Sequence, residues 1–399
     1  MKYIVIIGDG MADYKIEELN FRTPLEVAKK ENIDLLAGNG KCGLLKTIPE
    51  NFEPGSDVAN LSILGYDPRK YYTGRAPIEA ANRGIILNED EIAFRVNFIT
   101  EKDGKIYDYS AGHISSEESK ILIDELNEKL HNYLKKIEGK FYPGVSYRNL
   151  LICKNKFGNL ITVPPHNIVG KDIKENLIKG KDNSNYEILN EIMIKSKEIL
   201  ENHKINKERE EKNKNKANMI WIWGQGKRMN LENFEKKYKL KGAVISAVDL
   251  INGIGRIAGM EIIKVEGATG LWDTNYEGKA VACVDALKFC DFVYLHIEAT
   301  DEASHIGDLN LKIKCIENLD NVVGKILKLL KERNIKAKIA ILADHLTPLK
   351  LKTHVSDPAP FLICENFDKN IKRNFNEDLC KNGEYGIIEI GKFMEILLE

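Results

Sequence analysis

Phe292-Val-Tyr-Leu-His-Ile297, the long run from Leu309 to Arg333, and Ile339-Ala-Ile-Leu-Ala343 stand in close succession. The two flanking runs are short, apolar and rich in β-branched residues, the pattern of strands covered on both faces. Between them Leu309, Ile313, Ile316, Leu319, Val323, Ile326 and Leu330 recur at three- and four-residue spacing, the stripe of an amphipathic helix. Strand, long helix, strand is a βαβ unit, and it implies parallel pairing. Tyr3-Ile-Val-Ile-Ile7, stopped by Gly8-Asp9-Gly10, repeats the strand design at the other end of the chain. The expected fold class is α/β, with a mostly parallel sheet fed from both ends.

The middle reads differently. From about Ile85 to Val163 strand-like runs (Ile92 to Ile99, Leu150 to Cys153, Leu160 to Val163) alternate with one helix. That helix opens on the capping-box pattern Ser115-Ser-Glu-Glu118 and carries Ile123, Leu126, Leu130, Leu134 and Ile137 on one face. His203 to Asn218 is almost wholly polar and reads as a solvated hinge. After it Met219-Ile-Trp-Ile-Trp223 reads as a strand and Gly224-Gln-Gly226 as a turn. The expected organisation is a core of residues 1–83 and 214–399, with a smaller α+β domain of residues 84–213 inserted.

A chain of 399 residues exceeds one ordinary core, in keeping with two domains. Lys+Arg 59 against Asp+Glu 60 leaves a net charge of -1, which argues against nucleic-acid or anionic-membrane partners. No apolar run approaches the roughly 20 residues of a membrane span. The seven Cys are scattered with no CxxC pair, the usage of a reducing cytoplasm.

Three strands deliver an aspartate just past their carboxyl ends: Asp9, Asp301 and Asp344. Ligands of open parallel sheets bind at that edge. Any one of these aspartates alone is a turn cap; imidazoles change the reading. His305 follows Asp301 by one helical turn, His345 adjoins Asp344, and His354 lies in the turn-rich segment after it. Carboxylates with imidazoles and no thiolate suit Mn, Zn, Co or Mg in a catalytic site, and six such groups exceed what one ion needs. Neighbours in a strand point to opposite faces, so Asp344 and His345 share an ion only if the chain has left the strand there. Ser56, in Pro54-Gly-Ser-Asp-Val-Ala-Asn-Leu-Ser62, is either a helix cap or a nucleophile, and the metal set favours the nucleophile.

Taken together, Gly8-Asp9-Gly10, Gly55-Ser56-Asp57, Asp301-Glu-Ala-Ser-His305, Ala343-Asp344-His345 and His354 resemble the signature of the alkaline phosphatase superfamily. Within it the chain most resembles the archaeal-type, cofactor-independent phosphoglycerate mutases. Tyr72-Thr-Gly-Arg-Ala-Pro-Ile-Glu-Ala80, Ser110-Ala-Gly-His-Ile114, Trp221-Ile-Trp-Gly-Gln-Gly226 and His296-Ile-Glu-Ala-Thr-Asp301 add to the likeness. The resemblance spans essentially the whole chain. It implies an alkaline-phosphatase-like core with helices on both faces of the sheet. It also implies two divalent metal ions, manganese ahead of zinc, cobalt or magnesium, and no 2,3-bisphosphoglycerate. One ion would be held by Asp9, Ser56, Asp344 and His345, the other by Asp301, His305 and His354. Ser56 would be the phosphorylated nucleophile and His113 a group near the transferred phosphoryl. Arg148, Lys227 and Arg228, with Arg75 a further candidate, would hold the phosphate and carboxylate of a small phosphorylated hydroxy acid.

The implied reaction is 3-phosphoglycerate to 2-phosphoglycerate through a phosphoserine, in a cytoplasmic protein with room for a homo-oligomer. The inserted domain would cover the substrate. The core motifs fit equally a metal-dependent phosphatase, or a phosphotransferase to another small alcohol such as homoserine. A degenerate metal-binding scaffold is the non-enzyme alternative.

Overall fold

The apolar runs become the middle of an eight-stranded sheet. In a computed structural model describing residues 1–157, 159–180 and 185–399, its order is Glu261–Ile262, Gly242–Ile245, Phe292–Ile297, Lys2–Gly8, Ala337–Leu342, Ala359–Cys364, Lys41–Leu45 and Ile387–Ile388. The first five strands are parallel; Ala359–Cys364 runs against both its neighbours. The strands predicted at Phe292–Ile297 and Ile339–Ala343 form, the second as Ala337–Leu342, with Lys2–Gly8 between them. The predicted helix spans Leu309–Glu332. It buries Cys315, Ile316, Leu319, Val323, Ile326 and Leu330 against Ile4, Ile6, Leu295 and Ile341. At about 1.5–3 kcal/mol for each fully buried large aliphatic side chain, this packing fixes the helix far more firmly than its intrinsic propensity does.

Register sets the edge of the sheet. Ile7 is level with His296 and with Leu342, and Gly8 with Ile297. The chain therefore leaves three adjacent strands at one height, carrying Asp9, Glu298 to Asp301, and Asp344 to the same rim. The Ala337–Leu342 strand has ended before Asp344, which meets the condition for Asp344 and His345 to face one point.

Two compact units make up the chain: residues Met1–Tyr72 with Asn230–Glu399, and residues Thr73–Met229. These limits lie outside the expected 84 and 213, for two reasons. The Arg75–Asn82 helix buries Ala76 and Ala80 with Ala93 and Leu150 of the second unit. The strand from Met219 belongs to the second unit's sheet, where it pairs antiparallel with Glu91–Lys102. It also runs on to Lys227 through a register shift opposite Ala93 to Arg95, so the expected turn at Gly224-Gln-Gly226 is a bulged continuation of the strand. Gly224, at φ +60, takes the left-handed conformation such a bulge asks for.

The rest of that unit follows the α+β expectation. Arg148–Lys154 pairs with the other edge of Glu91–Lys102, and helices pack on the sheet. Ser115 caps its helix with the full reciprocal box, but the expected single helix breaks at Leu130 into Ser116–Lys129 and His131–Ile137. The segment 203–218 is not a solvated hinge. It contains the helix Lys204–Glu211, with Asn206 and Arg209 buried. Their hydrogen bonds to Leu200, Ala217, Ala111 and Asn215 carbonyls satisfy polar groups that composition alone assigns to water.

Candidate metal centre

In the first unit, Asp301, His305 and His354 form one group whose donor atoms lie within 4.8 Å of one another. His305 Nε2 is 3.0 Å and His354 Nε2 3.4 Å from Asp301 Oδ2. The Ala299–Ile306 helix places Asp301 and His305 one turn apart, on one face. His305 Nδ1 sits 2.9 Å from the Lys352 carbonyl and donates to it, which fixes the ring with Nε2 facing Asp301. Burial pushes the Asp301 carboxyl up, but hydrogen bonds from His305 and His354 outweigh it and hold it well below its usual range. The same contact with Asp301 raises His305 to about 9.

Asp9 belongs to two further groups, one with His296 and Asp344 and one with Asp301 and His345. His296 Nε2 is 3.0 Å from Asp9 Oδ2, and His345 Nε2 3.4 Å from Asp9 Oδ1. Yet both Asp9 carboxylate oxygens and His296 Nε2 are buried with no hydrogen-bond partner. An unpaired buried carboxylate is costly, and burial followed by Asp344 and Asp301 pushes Asp9 well above its ordinary value. Burial holds His296 neutral, at about 4, so it cannot supply the missing charge. Buried acceptors converging without donors are what a bound cation satisfies, so these residues fit a divalent metal.

Asp344 is anchored more fully. Its Oδ1 accepts from Gly10 N and His345 N, and its Oδ2 accepts from Asn60 Nδ2 at 2.9 Å. Ser56 opens the helix Ser56–Ile63, but the cap position is Gly55, and the Ser56 side chain makes no capping hydrogen bond. Its Oγ lies 3.2 Å from His345 Nε2 instead. The structure thus gathers Asp9, Ser56, Asp301, His305, Asp344, His345 and His354 at one rim.

The second unit holds the remaining predicted residues. His113 ends three consecutive left-handed residues, Ala111, Gly112 and His113, at φ +49, +60 and +49. Its exposed ring packs edge-on against Tyr147 at 5.8 Å. Arg148 lies over the same tyrosine, 5.1 Å from the ring centroid. Arg95 is half-buried over Trp223 at 4.1 Å, paired with Glu79 at 2.9 Å, and within electrostatic reach of Arg75 and Arg148. Lys227 and Arg228 are exposed at the end of their strand. Arg148 is level with Asn97 and Lys227 with Ile92, so their backbones stand about 17 Å apart along the central strand. Arg148 joins Arg75 and Arg95; the backbones of Lys227 and Arg228 do not.

A family model described as 2,3-bisphosphoglycerate-independent phosphoglycerate mutase matches residues 37–206. A protein of Methanosarcina barkeri bearing that name is 48% identical over 403 residues, covering 100% of both chains. This chain belongs to the 2,3-bisphosphoglycerate-independent phosphoglycerate mutases. A member from Methanothermobacter thermautotrophicus is 46% identical, covering 100% of this chain and 98% of its own. The solved structure of a Pyrococcus horikoshii protein matches with a TM-score of 0.82 at 34% identity, covering 100% of this chain and 96% of that one. That of the cofactor-independent phosphoglycerate mutase from Thermoplasma acidophilum matches at 0.67 and 28%, covering 100% and 99%.

Several residues of this chain are given no role by a reading of motifs. His296 and Arg95 each interrupt an apolar strand run with one ionisable group, and that interruption is the signal that they point at something. Asn60 stands one helical turn after Ser56. Lys279 is buried and donates to the His296 carbonyl at 3.3 Å; burial lowers it to about 8. No sequence pattern distinguishes it from a surface lysine.

Proposed function

We propose that this chain interconverts 3-phosphoglycerate and 2-phosphoglycerate by passing the phosphoryl group onto Ser56 and back. The observation that carries the reading is Ser56 Oγ at the start of a helix, 3.2 Å from His345 Nε2, which itself lies 3.4 Å from the Asp9 carboxylate. Two divalent cations, manganese ahead of zinc, cobalt or magnesium, would be held by Asp9, Ser56, Asp344 and His345 and by Asp301, His305 and His354. Bound there, they would neutralise phosphate oxygens and make the Ser56 hydroxyl easier to deprotonate.

Ser56 Oγ attacks phosphorus in line as the ester bond to the glycerate oxygen breaks. The serine gives up its proton, and the departing oxygen gains one, with His113 as the assigned acid/base. Backbone N–H groups of the helix that Ser56 opens favour the added negative charge. The other hydroxyl of glycerate then attacks the phosphoserine, restoring Ser56. Arg148, Lys227 and Arg228, with Arg75 a further candidate, are assigned to the substrate's phosphate and carboxylate, and the electrostatic reach of Arg95 to Arg75 and Arg148 supports adding Arg95 to them. Water at the phosphoserine would turn transfer into hydrolysis, so the second unit is assigned the task of covering the substrate. The relatives' names favour the mutase over the phosphatase or homoserine readings. No helix among the described residues is long and apolar enough to cross a membrane, which suits a cytoplasmic site of action.

The test is incubation of manganese-loaded protein with 3-phosphoglycerate while 2-phosphoglycerate and free phosphate are followed together. The expected product is 2-phosphoglycerate; free phosphate as the main product overturns the mutase reading. Ser56→Ala is expected to lower turnover more than about a thousandfold. Turnover that survives this change removes the phosphoserine.

A further inference from the structure

Lys312 is fully buried near the N-terminus of the Leu309–Glu332 helix. Two costs attach to that position. A buried ammonium loses its hydration, and the N-terminal end of a helix carries partial positive charge. A methionine would fill the same space without either cost. Something that only a cation with several donors can do must offset them.

The contacts show what it does. Lys312 Nζ donates to the Ala12 carbonyl at 3.2 Å, to Asp13 Oδ2 at 2.8 Å and to the Thr347 carbonyl at 3.0 Å. Ala12 and Asp13 belong to the segment that begins with Asp9; Thr347 belongs to the segment that begins with Asp344 and His345. Asp13 Oδ2 also accepts from Leu349 N at 3.1 Å, so the carboxylate grips the second segment as well. Thr347 carries the tie onward: its Oγ1 donates to Asp301 Oδ1 at 2.5 Å and lies 3.1 Å from His345 Nδ1. Behind Asp13, Glu377 Oε1 accepts from Asp13 N at 2.9 Å. Every donor of Lys312 is spent on the two segments that leave the sheet with candidate metal ligands, and none on a ligand itself.

We infer that Lys312, with Asp13, is a positioning residue that sets the spacing of Asp9, Asp344–His345 and, through Thr347, Asp301 before metal arrives. The inference rests on the reading of those residues as a divalent-metal centre. Ligand groups left to find their spacing must order themselves on binding, and outer partners of metal ligands typically carry about 10- to 100-fold in affinity.

The experiment compares wild type, Lys312→Met, Lys312→Arg and the double variant Asp13→Asn/Lys312→Met, each stripped of metal and titrated with Mn²⁺ by calorimetry. Circular dichroism first establishes the folded fraction. Lys312→Met alone leaves the buried Asp13 carboxylate without its counter-charge and is expected to lower the melting temperature of the metal-free protein. The double variant removes both charges together and keeps the comparison usable if the single variant does not fold. In the folded double variant Mn²⁺ affinity is expected to fall about 10- to 100-fold, and Lys312→Arg is expected to recover part of it. Affinity within twofold of wild type in the folded double variant overturns the inference. Wild type that takes up no Mn²⁺ overturns the metal-centre reading itself, an outcome visible before any variant is made.

Discussion

Asn60 shows how a residue remote from substrate chemistry sets the position of one that performs it. Its Nδ2 donates to the Ser56 carbonyl at 2.7 Å and to Asp344 Oδ2 at 2.9 Å, and its Oδ1 accepts from the buried Tyr294 hydroxyl. One amide thus joins the serine, the aspartate and the central strand Phe292–Ile297. Its partners have no water to turn to: Asp344, Tyr294 and Asn60 itself are fully buried. Asn60→Ala would strand a carboxylate oxygen and a hydroxyl, each at about 1–3 kcal/mol. We expect a loss of about 2–4 kcal/mol in urea unfolding of the metal-free protein. Added metal should recover part of that loss, because a cation supplies the Asp344 oxygen with a new partner. A variant as stable as wild type would mean that the amide is a bystander.

At the scale of elements, 203–218 is where composition misleads. Arg209 is the reason. Its Nε donates to the Asn215 carbonyl at 2.8 Å, Nη1 to Glu118 at 2.7 Å and Nη2 to the Ala111 carbonyl at 2.6 Å. Asp108 holds the same turn from its other side, accepting from Ser110 N and Gly112 N and from Asn215 Nδ2. The strained Ala111–His113 turn is therefore braced by a helix that reads as linker. Arg209→Met would leave the Ala111 and Asn215 carbonyls without their donor and Glu118 without its cation. A destabilisation of about 2–4 kcal/mol is expected, followed by the fluorescence of Trp221 and Trp223 in the same unit. A true hinge residue would change stability by less than about 0.5 kcal/mol, so a neutral result restores the linker reading. The contrast shows what a sequence reveals. Strands buried on both faces announce themselves as unbroken apolar runs, and Asp9, Asp301 and Asp344 are legible because each follows one. Charged groups whose partners are backbone carbonyls, such as Arg209 and Lys312, leave no periodic trace. Arg95 and His296 leave only a single break in an apolar run. The Met219–Lys227 strand reads as ending at Trp223 because Gly224 and Gly226 punctuate turns and bulges alike.

For the molecule as a whole, the two units have separate hydrophobic cores that share no residue. All three groups of potential metal ligands among the described residues lie in the first unit. Metal that binds only folded protein stabilises it by mass action, about 2.7 kcal/mol when its free concentration is a hundred times the dissociation constant. That stabilisation belongs to whatever unfolds together with the ligands. Amide exchange followed with and without Mn²⁺ should therefore slow most in Lys2–Gly8, Phe292–Ile297 and Ala337–Leu342, which lead into Asp9, Asp301 and Asp344. The Glu91–Lys102 and Met219–Lys227 strands should change little, because their opening frees no metal. Chelation should reverse the effect and lower only the melting transition assigned to the first unit. Equal slowing in both sets of strands would show that the two cores unfold as one, and that metal secures the entire chain rather than the sheet whose rim carries its ligands.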